Sequence, residues 1–279
     1  MAATLLPNGR WYTTRDSFKR TIMDNTAVTD KDNRLDEAIA SASEFIEEYT
    51  DRLFIPWTGA KEFDYQKIGK LHLGEDLLSV TSITYADGDQ TVNSGDYFLY
   101  PLNAADRSKP YQWIELLLSD DQFFYKDTRQ KDIAITGKWG YSEITKLLTT
   151  LNHGATVNAT ETAITVTAGT NFEIGMTLLC ETEQWFVGNV ATNVITVIRG
   201  VNGTTAATHV DTTAVYAIFP PLQIRQAANA LAARAFMRGE SQWTDRAKTQ
   251  GSDLSFSYFK AMPAEIEAIL KKYRREVVI

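Results

Sequence analysis

The chain has 279 residues, enough for one large domain or two ordinary ones, and its 44% hydrophobic and 23% charged content is that of a folded protein. A formal net charge of -7 excludes a protein that coats nucleic acid by neutralising phosphates, although not one that DNA passes without adhering. Cys180 is the only cysteine, which excludes an intramolecular disulfide and a cysteine-based zinc site.

The first residues, MAATLLPNGRWYTTRD, lack an apolar core of signal-peptide length, and no run of about 18 apolar residues occurs anywhere. The expectation is a soluble, non-exported chain, or one released by lysis. Residues 1–12 read as an extended arm with a turn at Pro7-Asn8-Gly9. Thr13 or Thr14 then starts a short helix with Phe18, Ile22 and Met23 on one side, ending near Asp24.

The dominant element is DNRLDEAIASASEFIEEYTDRLF, Asp32 to Phe54. Leu35, Ala38, Ile39, Ala42, Phe45, Ile46, Tyr49 and Leu53 follow the steps of one helical face, and Asp32 or Asn33 is placed to cap its start. The opposite face carries Asp36, Glu37, Glu44, Glu47, Glu48 and Asp51, and Pro56 sets a stop near Arg52 to Phe54.

Short strands follow: 61–66, 70–75, 79–92 with Asp87-Gly88 as a hairpin turn, Asp96 to Tyr100, Gln112 to Leu118 and Asp132 to Trp139. A basic-aromatic segment, FFYKDTRQK at 123–131, precedes the last of them, and Ser142 to Leu151 reads as a short helix-like piece. From 155 to 218 the composition turns to Thr, Ala, Val and Gly with few charges and repeated alternating runs. That pattern predicts a compact all-β module, a barrel or small sandwich of about five or six strands.

Helix returns at PLQIRQAANALAARAFMRGE. Pro221 stands at its first position, Ile224, Ala227, Ala228, Leu231, Ala235 and Phe236 form an apolar face, and Gly239 is the expected stop. This is the partner expected for the Asp32 helix. A polar loop at 240–258 leads to Pro263, which opens a final helix with Ile266, Ile269, Leu270 and Tyr273 before the basic and apolar end KKYRREVVI. The expected fold class is α+β: a small helical bundle with an antiparallel β-element, interrupted by an all-β barrel- or sandwich-like insertion. The expected domains are a discontinuous one, 1–154 with 219–279, and an inserted module, 155–218.

Motifs of catalysis are missing. His72, His153 and His209 are scattered without metal spacing, and there is neither a phosphate loop nor a Gly-x-Ser-x-Gly elbow. Cys180 reads as a buried thiol, Asp87, Asp89 and Asp96 as hairpin residues rather than a calcium loop, and Glu181 and Glu183 as the solvated face of a strand rather than paired carboxylates. No enzyme activity, cofactor or metal is expected. Three features keep a functional alternative. The acidic helix face is solvated surface or the lining of a lumen that DNA crosses. The Arg274-Arg275 cluster with Val277, Val278 and Ile279 is a frayed end or a docking segment. The Thr- and Asn-rich loops of 155–218 bind carbohydrate or pack on neighbouring subunits.

The order of TDRLFIPW, LLSVTSITYADGDQTVNSGDYFLY, IAITGKWGY, PPLQIRQAANALAARAF and MPAEIEAILKKYRREVVI resembles the head–tail connector (adaptor) proteins of tailed bacteriophages, over about 34–141 and 220–279. The resemblance implies a structural virion protein of the neck, between head and tail, assembled in the host cytoplasm. It implies a homo-oligomeric ring, typically of twelve subunits, bound to the portal protein on one side and to neck, stopper or tail proteins on the other, with no membrane. It places portal binding on Tyr273, Arg274, Arg275, Val277, Val278 and Ile279, and makes Glu37, Glu44, Glu47, Glu48 and Asp51 the candidates to face DNA passing through the lumen without specific binding. The IRGVNGTTAATHVDTTAV stretch marks the insert as similar to a small β-module of phage virion proteins, and the family's compact pattern lacks it. The alternative is a carbohydrate- or host-surface-binding virion protein with 155–218 as its binding module.

Overall fold

The computed structural model describes residues 9–22, 29–64, 70–86, 88–117, 129–240, 246–248, 255–257 and 262–275. These form two compact units. One takes the chain up to Asp51, Thr145–Val201 and Thr205–Arg275; the other takes Arg52–Ile144 with Asn202–Thr204.

The first unit begins with helix α1, Arg15–Ile22, which Thr14 caps by accepting the Ser17 N–H on its hydroxyl at 3.1 Å. Phe18 is buried, whereas Ile22 is exposed and Met23 lies outside the described residues. Trp11 and Tyr12, expected in an extended arm, are buried. Helix α2, Asp32–Thr50, buries Leu35, Ala38, Ile39, Ala42 and Ile46 as its periodicity requires. Burying Leu35, Ile39 and Ile46 contributes roughly 5–9 kcal/mol at about 1.5–3 kcal/mol each, an upper bound.

Four expectations for this helix are corrected. Phe45 is 41% exposed and stacks on Tyr49 at 6.0 Å instead of entering the core. Asp36, expected on the outer face, is fully buried, because Arg15 lies across it. Neither Asp32 nor Asn33 is the cap: Lys31 precedes the helix without a side-chain cap, and the Asp32 carboxylate is drawn to Arg15 (3.2 Å) and Lys19 (2.5 Å). The helix also stops before Arg52, where Asp51 turns left-handed (φ 52°).

The second unit is a six-stranded antiparallel sheet. Its strands are β1 (Trp57–Phe63), β2 (Lys70–Tyr85), β3 (Gln90–Val92), β4 (Tyr97–Tyr100), β5 (Tyr111–Leu116) and β6 (Ile133–Trp139). Their order is β1-β6-β2-β5-β4, with β3 beside β2. The sequence reads β2 as two segments. It is one strand whose register shifts at His72/Leu77, Leu77/Ser79 and Val80/Ser82 interrupt the alternation. Leu71, Leu73, Leu77, Ile83, Ile114, Ile133, Ile135 and Trp139 make its core. Arg52 is held to the buried Asp76 at 2.6 Å with its guanidinium 5.2 Å from the Tyr141 ring centroid. Asp87 and 123–128 lie outside the described residues.

The helix-like piece expected at Ser142–Leu151 is instead a strand, β7 (Ile144–Thr150). With β8 (Ala163–Thr165), β9 (Thr177–Cys180), β10 (Glu183–Ala191), β11 (Val194–Ile198) and β12 (Ala214–Phe219) it forms a second sheet, ordered β7-β12-β9-β10-β11-β8. This sheet is not closed into a barrel, since β7 and β8 meet only through an isolated bridge at Leu151 and Val166. A sandwich-like module is what the residues build. Trp185, Val187, Leu178, Cys180, Ile195, Val197 and Val215 fill its inner face.

Strand β10 is buried on both sides over its first half. Trp185 and Val187 enter the core of the sheet, while Phe186 meets Trp11 edge-on at 5.2 Å in the helical core. That second core holds Phe18, Leu35, Ala38, Ile39 and Ala42 with Val201, Ala232 and Phe236. The last two belong to helix α3, Leu222–Glu240, so the partner expected for α2 is found. Gly239 lies inside the last turn of α3 rather than ending it. The loop expected at 240–258 contains a two-stranded ribbon, β13 (Arg246–Lys248) with β14 (Ser255–Ser257). Pro263 caps helix α4, Ala264–Tyr273, which buries Ile266, Leu270 and Tyr273.

Candidate functional site

Three places in the first unit carry the chemistry. The first is the outer face of α2. Glu37, Glu44, Glu48 and Asp51 are exposed there, and Glu37 to Glu48 spans about 16 Å at the helical rise of ~1.5 Å per residue. Glu47 differs from the others. Arg10 grips its carboxylate through Nε at 3.0 Å and through its second amino group at 3.3 Å, and the Tyr12 hydroxyl donates to it at 2.7 Å. Its charge is thus neutralised within the unit, and Arg275 offsets part of the charge of Asp51, so Glu37, Glu44 and Glu48 carry most of the field of this face.

The second place is the C-terminal end of α4. The Tyr273 hydroxyl, on a side chain only 8% exposed, donates to Gln223 Oε1 at 3.2 Å. Arg274 is exposed, its guanidinium 5.9 Å from the Tyr49 ring centroid. The Arg275 N–H donates to the Thr50 carbonyl at 2.9 Å, and its side chain lies 3.5 Å from the Asp51 carboxylate. Two arginines therefore sit on the carbonyl end of α2, where the helix dipole favours cations. Of the candidate docking residues, Tyr273, Arg274 and Arg275 come together there, with Tyr273 serving as an internal anchor. Val277, Val278 and Ile279 lie outside the described residues.

The third place lies where the sequence pattern predicts the solvated face of a strand. Glu183 is fully buried. Arg199 meets both of its oxygens at 2.7 Å, and the backbone N–H groups of Gly200 and Ala207 donate to them at 3.0 Å. His209 Nε2 lies 2.8 Å from the same carboxylate, and its Nδ1 lies 2.7 Å from Glu181, which is the exposed member. Arg199 also donates to the carbonyls of Asn158 (2.9 Å), Glu161 (2.9 Å) and Ala207 (2.6 Å), and its guanidinium covers the Trp185 ring at 4.9 Å. Burial by itself would push the Glu183 carboxyl up. The hydrogen bonds from Arg199, His209 and the Ala207 N–H outweigh it and hold the group at about 2.

This constellation is a clasp. It pins the connection 199–209 across β10 and leaves its carboxylate saturated, with no lone pair aimed at a substrate. No residue spacing announces it, because Arg199 and His209 reach Glu183 only after β10 and β11 have paired. Cys180 is buried, as expected. Burial first, and then the charges of Glu181 and Glu183, push its thiol up to about 12, which removes it as a nucleophile at neutral pH.

A groove of about 330 Å³ runs between α2 and α3, lined by Arg34, Glu37, Ala38, Ser41, Ala235, Phe236 and Gly239. It brings one cation and one anion to an apolar floor and holds no nucleophile–base pair. Among the described residues no cluster of His, Cys, Asp or Glu has metal-binding geometry, and no helix is long and apolar enough to cross a membrane.

No family model matches the chain, and no curated protein does. Among solved structures, a chain from the virion of a native gene transfer agent particle is similar over 100% of this chain and 96% of its own length, at 15% identity and a TM-score of 0.45. A similarity at this level does not transfer a role from that particle to this chain.

Proposed function

We propose that the protein is a structural component of a tailed-phage-like virion, a head-to-tail adaptor that assembles as a ring between the portal and the tail and performs no catalysis. In this reading 1–154 and 219–279 are the connector body, 155–218 is the inserted module, and the ring sits at the neck of the particle. DNA passes through the lumen without specific binding, and the exposed acids Glu37, Glu44, Glu48 and Asp51 face it. The segment after Arg275 docks into the portal.

The observation that carries the proposal is the arginine pair on the end of α2. The Arg275 N–H is fixed to the Thr50 carbonyl, so the apolar residues Val277, Val278 and Ile279 follow an anchored basic point only a few residues away. A docking peptide needs such an origin, because an anchored base limits the chain entropy lost when the peptide is captured. The acidic outer face of the same helix suits a surface past which DNA must slide.

Electron microscopy and native mass spectrometry of the purified protein, alone and with the portal, test the ring. A protein that stays monomeric in both settings refutes it. Deleting Glu276–Ile279 tests the docking segment: attachment to the portal is expected to be lost with the fold intact, and unchanged attachment overturns that assignment.

A further inference from the structure

The edges of the two large sheets are β7 and β8 in one and β1 and β4 in the other. β7 and β8 meet at the Leu151–Val166 bridge and the Asn202 carbonyl accepts the Thr58 N–H of β1, which leaves the first half of β7 and β4 as open edges among the described residues. In β7 the Thr150 carbonyl accepts the Thr167 N–H at 3.1 Å and the Leu148 carbonyl accepts Asn171 Nδ2 at 2.7 Å. The Leu151 N–H donates to Thr213, on the side of β12. Strand alternation therefore turns the backbone N–H and C=O of Ile144 and Lys146 outward as well. In β4 the Asp96 carbonyl accepts the Leu117 N–H at 2.8 Å, on the β5 side, which turns the backbone of Tyr97 and Leu99 outward.

Both edges carry exposed apolar side chains beside a single charge. Ile144 is 43% and Leu147 53% exposed on β7; Phe98 is 46% exposed on β4, and Leu102, just beyond it, 58%. The charges beside them are opposite, Lys146 on β7 and Asp96 at the start of β4. The open stretches also match in length, four residues each.

We propose that the open edge of β7 on one copy of the chain pairs with the open edge of β4 on the next copy. The proposal rests on the ring reading and names the surfaces that would build the ring. The two edges differ, so the contact is heterologous: copies add head to tail until the rotation closes. A pairing of β7 with β7 would instead stop at a dimer.

Cysteine cross-linking in the full-length chain tests this, in purified protein and in assembled particles. The variants carry Phe98→Cys with Lys146→Cys, or Phe98→Cys with Leu147→Cys. All three positions lie outside the buried cores, and the buried Cys180 leaves the background silent. Mild oxidation is expected to give a ladder of covalent multimers from at least one double variant and none from the single variants. Leu147→Asp, with an unchanged circular dichroism spectrum, is expected to raise the concentration needed for assembly at least tenfold. A ring that persists without a ladder, or that ignores Leu147→Asp, overturns the edge pairing and leaves the ring itself standing. Covalent dimers from the Lys146→Cys or Leu147→Cys single variants overturn the heterologous contact. A chain found as a single copy in particles overturns both.

Discussion

Replacing Arg199 with Met removes a guanidinium that makes two bonds to the buried Glu183 and three to the carbonyls of Asn158, Glu161 and Ala207. Glu183 keeps the Gly200 and Ala207 N–H groups and His209, but its charge is left without a cation of comparable closeness and the three carbonyls lose a donor. Removing one partner of a buried ion pair costs about 3–5 kcal/mol. The carboxyl's own displacement, from 4.5 to about 2, corresponds to roughly 3 kcal/mol at ~1.4 kcal/mol per pKa unit and is shared among Arg199, His209 and the Ala207 N–H. Because the folded pKa is depressed, this stabilisation is present above pH 4.5 and is lost as pH falls toward 2. Urea unfolding at pH 7, followed by tryptophan fluorescence, should therefore show a loss of about 3–5 kcal/mol. Trp185 under Arg199 reports on the clasp directly, and Trp185→Phe serves as the control. The wild type should lose more stability between pH 4.5 and 2 than the variant, whose Glu183 keeps His209 and the two backbone donors. A cost below about 1 kcal/mol with an unchanged acid limb would refute the assignment of Arg199 and Glu183 as a stabilising pair.

Two further perturbations test other parts of the molecule. Gly203 has φ +79°, and a Cβ there would overlap the Thr58 carbonyl oxygen and lie 2.8 Å from Trp57 Nε1. Gly203→Ala should cost about 2 kcal/mol or more in thermal unfolding, and a loss under about 0.5 kcal/mol would mean that the turn relaxes freely. Glu44→Lys with Glu48→Lys, both on exposed positions, should leave stability within about 0.5 kcal/mol. If α2 faces the lumen, particles carrying the pair should release DNA more slowly, with the defect relieved by salt; salt-independent, normal release would remove α2 from the channel.

The backbone of the fold was legible where the pattern was long. Nineteen residues of α2 repeat one period several times, and capping errors at Asp32 or Asn33 moved its boundary by only a residue or so. Short patterns misled. ITKLLTT satisfies helical spacing through Ile144, Leu147 and Leu148 and strand chemistry through its threonines, and its pairing with β12, some 65 residues later, decides the matter. Charge was the least legible of all. Asp36 stands directly before the exposed Glu37, and the approach of Arg15 from α1 makes it a buried partner. Burial pushes the Asp36 carboxyl up even with that guanidinium upon it, so the pair is costly enough that a sequence pattern gives no reason to expect it. Glu181 and Glu183 repeat the lesson two residues apart, one exposed and one at the centre of the clasp.

The packing of β10 gives the inserted module a consequence that insertion at an exposed connection would not have. A decoration can be cut away because its host keeps a complete core. Here Phe186 and Val201 come from the 155–218 stretch and close the core that α2 and α3 share, with Trp11 set against Phe186 and against Gly175. Removing 155–218 and joining the ends would take both side chains out of that core. The loss is roughly 3–6 kcal/mol at about 1.5–3 kcal/mol each, before counting the exposure of Trp11. Against a typical total stability of about 5–15 kcal/mol, that is enough to unfold a marginal domain. The excised chain is therefore expected to lose helical circular dichroism and cooperative melting, not merely a tail-facing ornament. Phe186→Ala separates this from a poor join, because it keeps the chain intact and should cost about 3–5 kcal/mol on its own. If the excised protein melts like the full chain and Phe186→Ala is silent, α2 and α3 hold their core without the sheet, and the module is an ornament after all.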